Sequence, residues 1–333
     1  MKSAIGTTES GLSAKERWGK VITKRGTLVG MILILLVLGI RSPQFFTISN
    51  LLEILKQGSI LTMVALSQTI VLVAGGFDLS AGAVVHFVAN LSAGMISGGQ
   101  HFLVVLLLGI LIGCIAGVIN AALVNQLKIP PFVATLGVMF VLTGITLAYN
   151  QGKAIPLKGY PEFSYLGQGY VGPIPFIVIV VLAMLLAMHL YLKKTAAGLR
   201  MYAAGQNPQA AKLRGISPSK SLFVAFVIGG LILGLTGVFH ASYNYGSSAV
   251  ASGLDFLISA LAAAFLGSTF SKTGELSVIG TTCAGMFIAA LSNGLIINGV
   301  SNTAMSGILG SILVISVILS VLHKREIGQV TIF

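Results

Sequence analysis

Residues 102–127 read FLVVLLLGILIGCIAGVINAALVNQL, the longest apolar run in the chain and one without a single ion. A stretch of about 17–25 apolar residues crosses the roughly 30 Å hydrocarbon core of a bilayer as a helix. Inside hydrocarbon the backbone has no water to bond to, so a single segment must satisfy its own N–H and C=O groups, which a helix does. Working outward, nine further apolar runs stand at 26–40, 59–74, 79–96, 132–149, 173–192, 222–241, 254–266, 278–297 and 303–322. The run at 132–149 is entered through Pro130-Pro131, and proline is well tolerated in a first helical turn. The chain therefore reads as an all-α, polytopic membrane protein of about ten transmembrane helices. A basic N-terminal segment covers 1–25, one transmembrane domain 26–325, and a tail 326–333.

Composition agrees. The 333 residues are 55% hydrophobic and 8% charged, with mean hydropathy +0.97, whereas soluble domains run near 25% charged. The 41 glycines suit close helix packing in membranes. The net charge of +12 could indicate a nucleic-acid partner, but the cations lie in clusters between apolar runs, which is the pattern of membrane orientation. Cys114 and Cys283 each fall inside an apolar run and read as small buried packing residues, not a disulfide framework. The N-terminus does not read as a cleavable signal, because its apolar run follows a long basic segment and ends at Arg41 and Pro43 without a small-residue site. Trp18, among the N-terminal cations, reads either as the anchor of an interfacial helix or as part of a basic tail.

The loops can be sorted by charge. With the N-terminus inside, the inner loops hold 16 Lys and Arg, including Lys128, Lys193, Lys194, Arg200, Lys212, Arg214, Lys220 and Lys272. The outer loops hold four, Arg41, Lys56, Lys153 and Lys158, which completes the 20 in the sequence. Such asymmetry places the basic side, and with it both termini, in the cytoplasm.

A weak duplication runs through the chain. Asn120, Asn125 and Leu136-Gly137 recur as Asn293, Asn298 and Leu309-Gly310, at an offset of 173 residues throughout. Asp78 and Asp255 occupy roughly corresponding places upstream. The copies are five spans apart, an odd number, so they cross in opposite directions. Inverted repeats of this kind build transporters, with the pathway at their interface.

Chemistry-bearing residues are few. The acids are Glu9, Glu16, Glu53, Asp78, Glu162, Asp255, Glu275 and Glu326, and none lies deep in a run. Asp78 and Asp255 stand at helix starts, where a carboxylate caps free N–H groups. Gln68, Asn90, Asn120, Asn125, Asn293 and Asn298 are costly in lipid unless they tie helices together or line a wet pathway, and in the second case the matching spacing would cluster Asn120, Asn125, Asn293 and Asn298 about the repeat axis. The five histidines show no metal-ligand spacing, and nothing groups as a catalytic triad. The stretch 267–273 lacks the glycine before lysine that a phosphate-binding loop requires. If ATP drives this protein, a partner binds it. In the long basic loop 193–220, Gly205 through Pro208 reads as a turn that opens a short helix over 209–214, with Asn207 as its cap, Pro208 at its first position and Gly215 at its end.

Three segments carry a family resemblance. Gly75-Gly76-Phe77-Asp78-Leu79-Ser80-Ala81-Gly82, Pro130-Pro131-Phe132-Val133-Ala134-Thr135-Leu136-Gly137, and Ala-x-Gly-x-Asn-x-x-Ala-Ala at 203–211 resemble the signatures of ribose-type permease subunits of bacterial ATP-binding-cassette sugar importers. These belong to the branched-chain amino acid and ribose permease superfamily. Phe77 and Ala81 stand where that family has isoleucine and valine, and its glycine-rich inner stretch is here the glycine-poorer 268–274. The resemblance implies a non-catalytic inner-membrane subunit without cofactor. A separate ATPase subunit, a periplasmic or lipid-tethered binding protein and a second permease subunit would be its partners. Without a phosphate-binding loop such a subunit would take its ATPase's motion through an inner loop, and 193–220, the longest internal one and the one with a capped helix, is read as that coupling element at Gly205, Asn207, Ala210, Ala211, Leu213 and Gly215. The segments of the resemblance give structural signature positions at Gly76, Asp78, Ser80, Pro131, Thr135 and Gly137. The other readings are an ion-coupled secondary transporter and a membrane scaffold. Reporter fusions after Lys158 and after Lys194 should report opposite sides of the membrane. The same side for both contradicts the assigned spans.

Overall fold

The structure, a computed structural model, describes residues 14–249, 253–271 and 274–326. The basic segment expected over 1–25 lies outside the described residues up to residue 13, as does the tail from 327. Helix α1 (Ala14–Arg41) is followed by a 3-10 turn (Pro43–Phe46), then α2 (Ile48–Val73), α3 (Ala81–Ser97), α4 (Phe102–Asn125) and α5 (Pro131–Asn150). Next come α6 (Pro161–Gln168), a small hairpin of β1 (Tyr170–Val171) and β2 (Ile174–Pro175), α7 (Phe176–Lys194), α8 (Ala196–Gln206) and α9 (Pro208–Leu213). The chain continues through α10 (Pro218–Tyr243), α11 (Leu254–Ser268), α12 (Val278–Ile297) and α13 (Asn302–Glu326). Each of the ten apolar runs lies largely on one of these helices. Seven helices, α2, α4, α5, α7, α10, α12 and α13, are long and apolar enough to cross a membrane, and 28–41 of α1, α3 and α11 are shorter apolar helices.

Local chemistry sets the helix starts. Pro131, Pro161, Pro208 and Pro218 occupy first turns, where the missing N–H costs nothing. Ser217 and Ser277 accept from Lys220 N and Gly280 N as N-caps. Two helices start earlier than expected: α1 at Ala14, inside the segment read as 1–25, and α2 at Ile48, not at residue 59. The added turns of α2 carry Glu53 and Lys56, which lower the local hydropathy but pair with each other at 3.1 Å, three residues apart on one helix face. Lys56 is thus a buried helix residue and not a loop cation.

The repeat is a feature of the architecture. Adding 173 to the bounds of α2, α3, α4 and α5 gives 221–246, 254–270, 275–298 and 304–323, which fall on α10, α11, α12 and α13. Packing follows the same exchange: α10 lies on α4 and α3 as α2 lies on α12 and α11. At the centre α2 and α10 run antiparallel. Glu53 meets Tyr243 at one end, the Ser67 hydroxyl donates to Gly229 O at 3.0 Å midway, and Gly76 approaches Leu222 at the other end.

Glycine permits the closest approach. Gly109, Gly113 and Gly117 recur every four residues along one face of α4, and Gly230 and Gly234 do so on α10. A methyl group at Gly113 would run into the backbone of both Gly230 and Gly234. Packing between membrane helices rests on van der Waals contact more than on water exclusion, so small residues at the seam supply much of the attraction. The two cysteines differ from expectation: Cys114 is half-buried and Cys283 is exposed, both as free thiols. An apolar span has an outer face for lipid, so an apolar run does not imply burial.

The loops sort into two ends. At the basic end, Lys193 Nζ lies 3.4 Å from Glu275 Oε2, and Asn125 Nδ2 donates to Ser219 O at 3.0 Å. At the opposite end, Leu157 N donates to Tyr245 O at 2.7 Å and Lys56 Nζ to Gln168 Oε1 at 2.7 Å. Gly113→Leu should force α4 and α10 apart and destabilise the fold by at least about 1–3 kcal/mol. Gly144→Ala, in open space on α5, should be neutral or stabilising by up to about 1 kcal/mol. Thermal unfolding of the purified protein, followed by size-exclusion recovery, compares the two.

Candidate functional site

Two helices begin inside the bundle. With 17 and 15 residues, α3 and α11 are about 25 Å and 22 Å long at 1.5 Å per residue, short of the roughly 30 Å hydrocarbon core. Their starts meet. A methyl group at Gly82, in the first turn of α3, would strike the backbone of Gly253, the residue that opens α11 in the left-handed region at φ 62°. Inverted copies therefore abut at their broken points, the arrangement in which transporter helices place free N–H groups inside the membrane.

The unwound link between α2 and α3 is held by side chains. Buried Asp78 accepts from Ser80 N at 2.8 Å and from the Ser80 hydroxyl at 2.6 Å through Oδ1. It thereby staples the entry to α3. Asn120 Nδ2, from α4, donates to Ser80 Oγ at 2.8 Å. Gln68 Nε2, from α2, donates to Asp78 O at 2.6 Å. Leu79 N donates to Thr135 Oγ1 at 3.0 Å, and that hydroxyl donates to Pro131 O at 2.8 Å. Two of the sequence segments that carry the resemblance thus form one structural unit: the 130–137 stretch holds the 75–82 stretch. Gly137 stands apart, exposed on α5 with open space around it.

The link also touches the basic loop. Gly205 is on the last turn of α8, and a methyl group there would strike Val73 O and crowd Gly75 N. It serves a close approach and not a turn. The loop 193–220 holds two helices where the sequence reading had one. Thr195 caps α8 by accepting from Gly198 N at 3.1 Å, and Asn207 caps α9 by accepting from Ala210 N at 2.9 Å. Gly215, at φ 75°, follows α9. Ala210 is exposed, Ala211 is 3% exposed and Leu213 is 91% exposed. Beside them Tyr202 donates to Leu276 O at 2.8 Å and Gln206 Nε2 to Glu275 Oε1 at 2.8 Å. Burial, with the Glu275 carboxylate beside it, pushes the Tyr202 phenol up to about 12, so it remains a donor at neutral pH. The inner stretch 268–274 contributes Ser268, which shares a hydrogen bond with Ser320 at 2.8 Å, while residues 272 and 273 lie outside the described residues.

The six amides read as pathway residues do not form one cluster. Gln68 and Asn120 flank the α2–α3 link. Asn90 donates to His86 O at 2.9 Å and accepts from Asn150 Nδ2 at 3.0 Å. Asn125 ties α4 to the start of α10. Asn293 accepts from Asn50 Nδ2 at 3.0 Å near the opposite end, and Asn298 bonds within its own helix. Inversion explains the separation: equal positions in opposite-running copies lie at opposite depths. Three rings escaped the sequence reading. His86, His240 and Phe256, from α3, α10 and α11, have centroids 5.0–5.6 Å apart. Beside them exposed Asp255 accepts from Ser306 Oγ at 3.3 Å. Only the repeat, which pairs α3 with α11, could have brought these rings together on paper. Among the described residues no three His, Cys, Asp or Glu side chains converge as metal ligands.

Known proteins share this sequence pattern over most of the chain. The chain is 33% identical over 300 residues to the ribose import permease protein RbsC of Bacillus subtilis, covering 90% of this chain and 93% of the relative. It is 31% identical over 282 residues to its counterpart in Haemophilus influenzae, covering 83% and 86%. It is 28% identical over 305 residues to the D-allose transport system permease protein AlsC of Escherichia coli, covering 91% and 93%. No solved structure matches the chain. The model of the family described as branched-chain amino acid transport system / permease component matches residues 50–318, and the chain belongs to that family.

Proposed function

We propose that this chain is the membrane-spanning permease subunit of an ATP-binding-cassette importer for a small sugar, and that 26–325 forms its permease domain in the bacterial inner membrane. The observation that carries this reading is the meeting of two inverted, broken helices at Gly82 and Gly253. Such a junction is costly in hydrocarbon unless it lines or gates a passage. The ribose and allose permeases among its relatives support a sugar as cargo.

Asp255, exposed among apolar helices and bonded to Ser306, is poorly placed against lipid. We assign the α11–α13 face around it to a passage shared with a second permease subunit. Gln68, Asn90 and Asn120 hold the broken segments in place and act on passage through that geometry.

The basic end is assigned to the cytoplasm and to the ATPase. With no phosphate-binding loop of its own, the chain must receive motion from a partner, and a rigid helix pair transmits displacement better than a coil. Exposed cations contribute only about 0–1 kcal/mol each, so apolar contact supplies most of the docking. Leu213 is the side chain offered for it, while Ala211 seats α9 on its own protein. A solute-binding protein delivers cargo at the opposite end.

Reconstitution with the cognate ATPase and binding protein tests the function. Uptake of radiolabelled sugar should require ATP and persist when ionophores collapse ion gradients. Uptake without ATP that ionophores abolish establishes the ion-coupled alternative. Leu213→Asp should lower ATP-dependent uptake at least about tenfold while the permease still reaches the membrane. That is the size expected when one apolar anchor worth about 1.4 kcal/mol is lost. Ala211→Arg should instead lower the thermal stability of the permease alone.

A further inference from the structure

We propose that the break between α2 and α3 binds an alkali cation of the sodium class against the Asp78 carboxylate, with the side-chain oxygens of Gln68 and Asn120 as further ligands. Gln68 and Asn120 are 0% and 1% exposed, and each amide is half used. The nitrogens donate to Asp78 O at 2.6 Å and to Ser80 Oγ at 2.8 Å. Gln68 Oε1 and Asn120 Oδ1 have no hydrogen-bond partner among the described residues. Buried amide oxygens in that state call for an ion or a water.

Turning the amides over does not help. Gln68 would then set its oxygen against the Asp78 carbonyl. Asn120 would set its oxygen toward Asp78 Oδ1, which its nitrogen now approaches at 3.5 Å. Both unmet side-chain atoms are therefore acceptors, and what completes them is a donor or a cation. Charge decides between the two. Asp78 is 4% exposed, and the ion pairs among the described residues, Lys56 with Glu53 and Lys193 with Glu275, do not reach it. Water would satisfy the amides and leave the carboxylate, hydrogen-bonded by Ser80 and approached by Asn120 Nδ2, without a countercharge inside the membrane, where an unpaired charge is penalised. One carboxylate with neutral amide oxygens matches a single positive charge, and hard oxygen ligands suit a hard cation. Unwound segments between half-helices are where membrane proteins coordinate such ions. The ion is structural here: it holds the link that seats α3. It is independent of what drives transport.

The test is thermal unfolding of the purified full chain in nanodiscs, in NaCl, KCl or N-methyl-D-glucamine chloride at equal ionic strength. The expected result is a saturable rise of several degrees in the unfolding midpoint with Na+ or K+ over N-methyl-D-glucamine. Asp78→Asn should abolish the rise, and Gln68→Met should shift its half-saturation to higher salt. Equal midpoints for the wild type in all three salts overturn the proposal. In that case an Asp78→Asn protein as stable as the wild type identifies a protonated carboxyl in place of the ion. If Asp78→Asn does not fold, the wild type and Gln68→Met decide alone. A full wild-type response in Gln68→Met overturns the ligand assignment.

Discussion

Hydrocarbon offers no solvent to an unpaired backbone group, and this fold turns on how the chain breaks two helices inside it. An unbroken helix satisfies its own backbone. Where α2 stops and α3 starts, the freed groups need partners brought from elsewhere. Thr135 on α5 takes Leu79 N, Gln68 takes Asp78 O, and Asp78 takes Ser80 N. Side chains of α2, α4 and α5 thus converge on the seven residues 74–80. Moving any one of them leaves a polar group bare, which fixes the depth at which α3 begins and so the level of its contact with α11.

Close approach is the second requirement, and glycine supplies it at three places where backbones meet. The α4–α10 seam, the Gly82–Gly253 junction and the Gly205–Gly75 contact are the same solution at three sites. The last one joins the break to the basic loop. Gly205 lies against Val73 O and Gly75 at the end of α2, and Gln68 joins α2 to Asp78 O at the entry to α3. The basic end and the middle of the bundle are thus joined by packed backbone and one buried amide.

Much of this was legible in the sequence. Hydropathy located the ten apolar helices because lipid imposes a length, and proline and asparagine marked the start of α9 because their local chemistry is fixed. The 173-residue offset announced the repeat. What stayed hidden depended on partners distant in sequence. The first turns of α2 read as loop because Glu53 and Lys56 look like solvent residues until each other, Gln168 and Tyr243 are in view. Gly205 read as a turn because nothing local reveals Val73 against it. Asn120 and Asn293 read as neighbours because equal spacing suggests equal place, whereas inversion puts them at opposite depths. Ala211 and Leu213 differ in exposure because α9 rests on the protein by one face, and six residues are too few for a periodic pattern to show which.

Family membership and the inverted repeat make the chain a permease core, and its basic end is the one proposed to meet the ATPase. The most direct measurement is cross-linking in membranes that contain the cognate ATPase, with Cys114 and Cys283 replaced by serine and one cysteine returned at Leu213 or at Lys158. Cysteine at 213 should cross-link to the ATPase and cysteine at 158 should not. Cross-linking from 158 with none from 213 would invert the bundle and contradict the proposal.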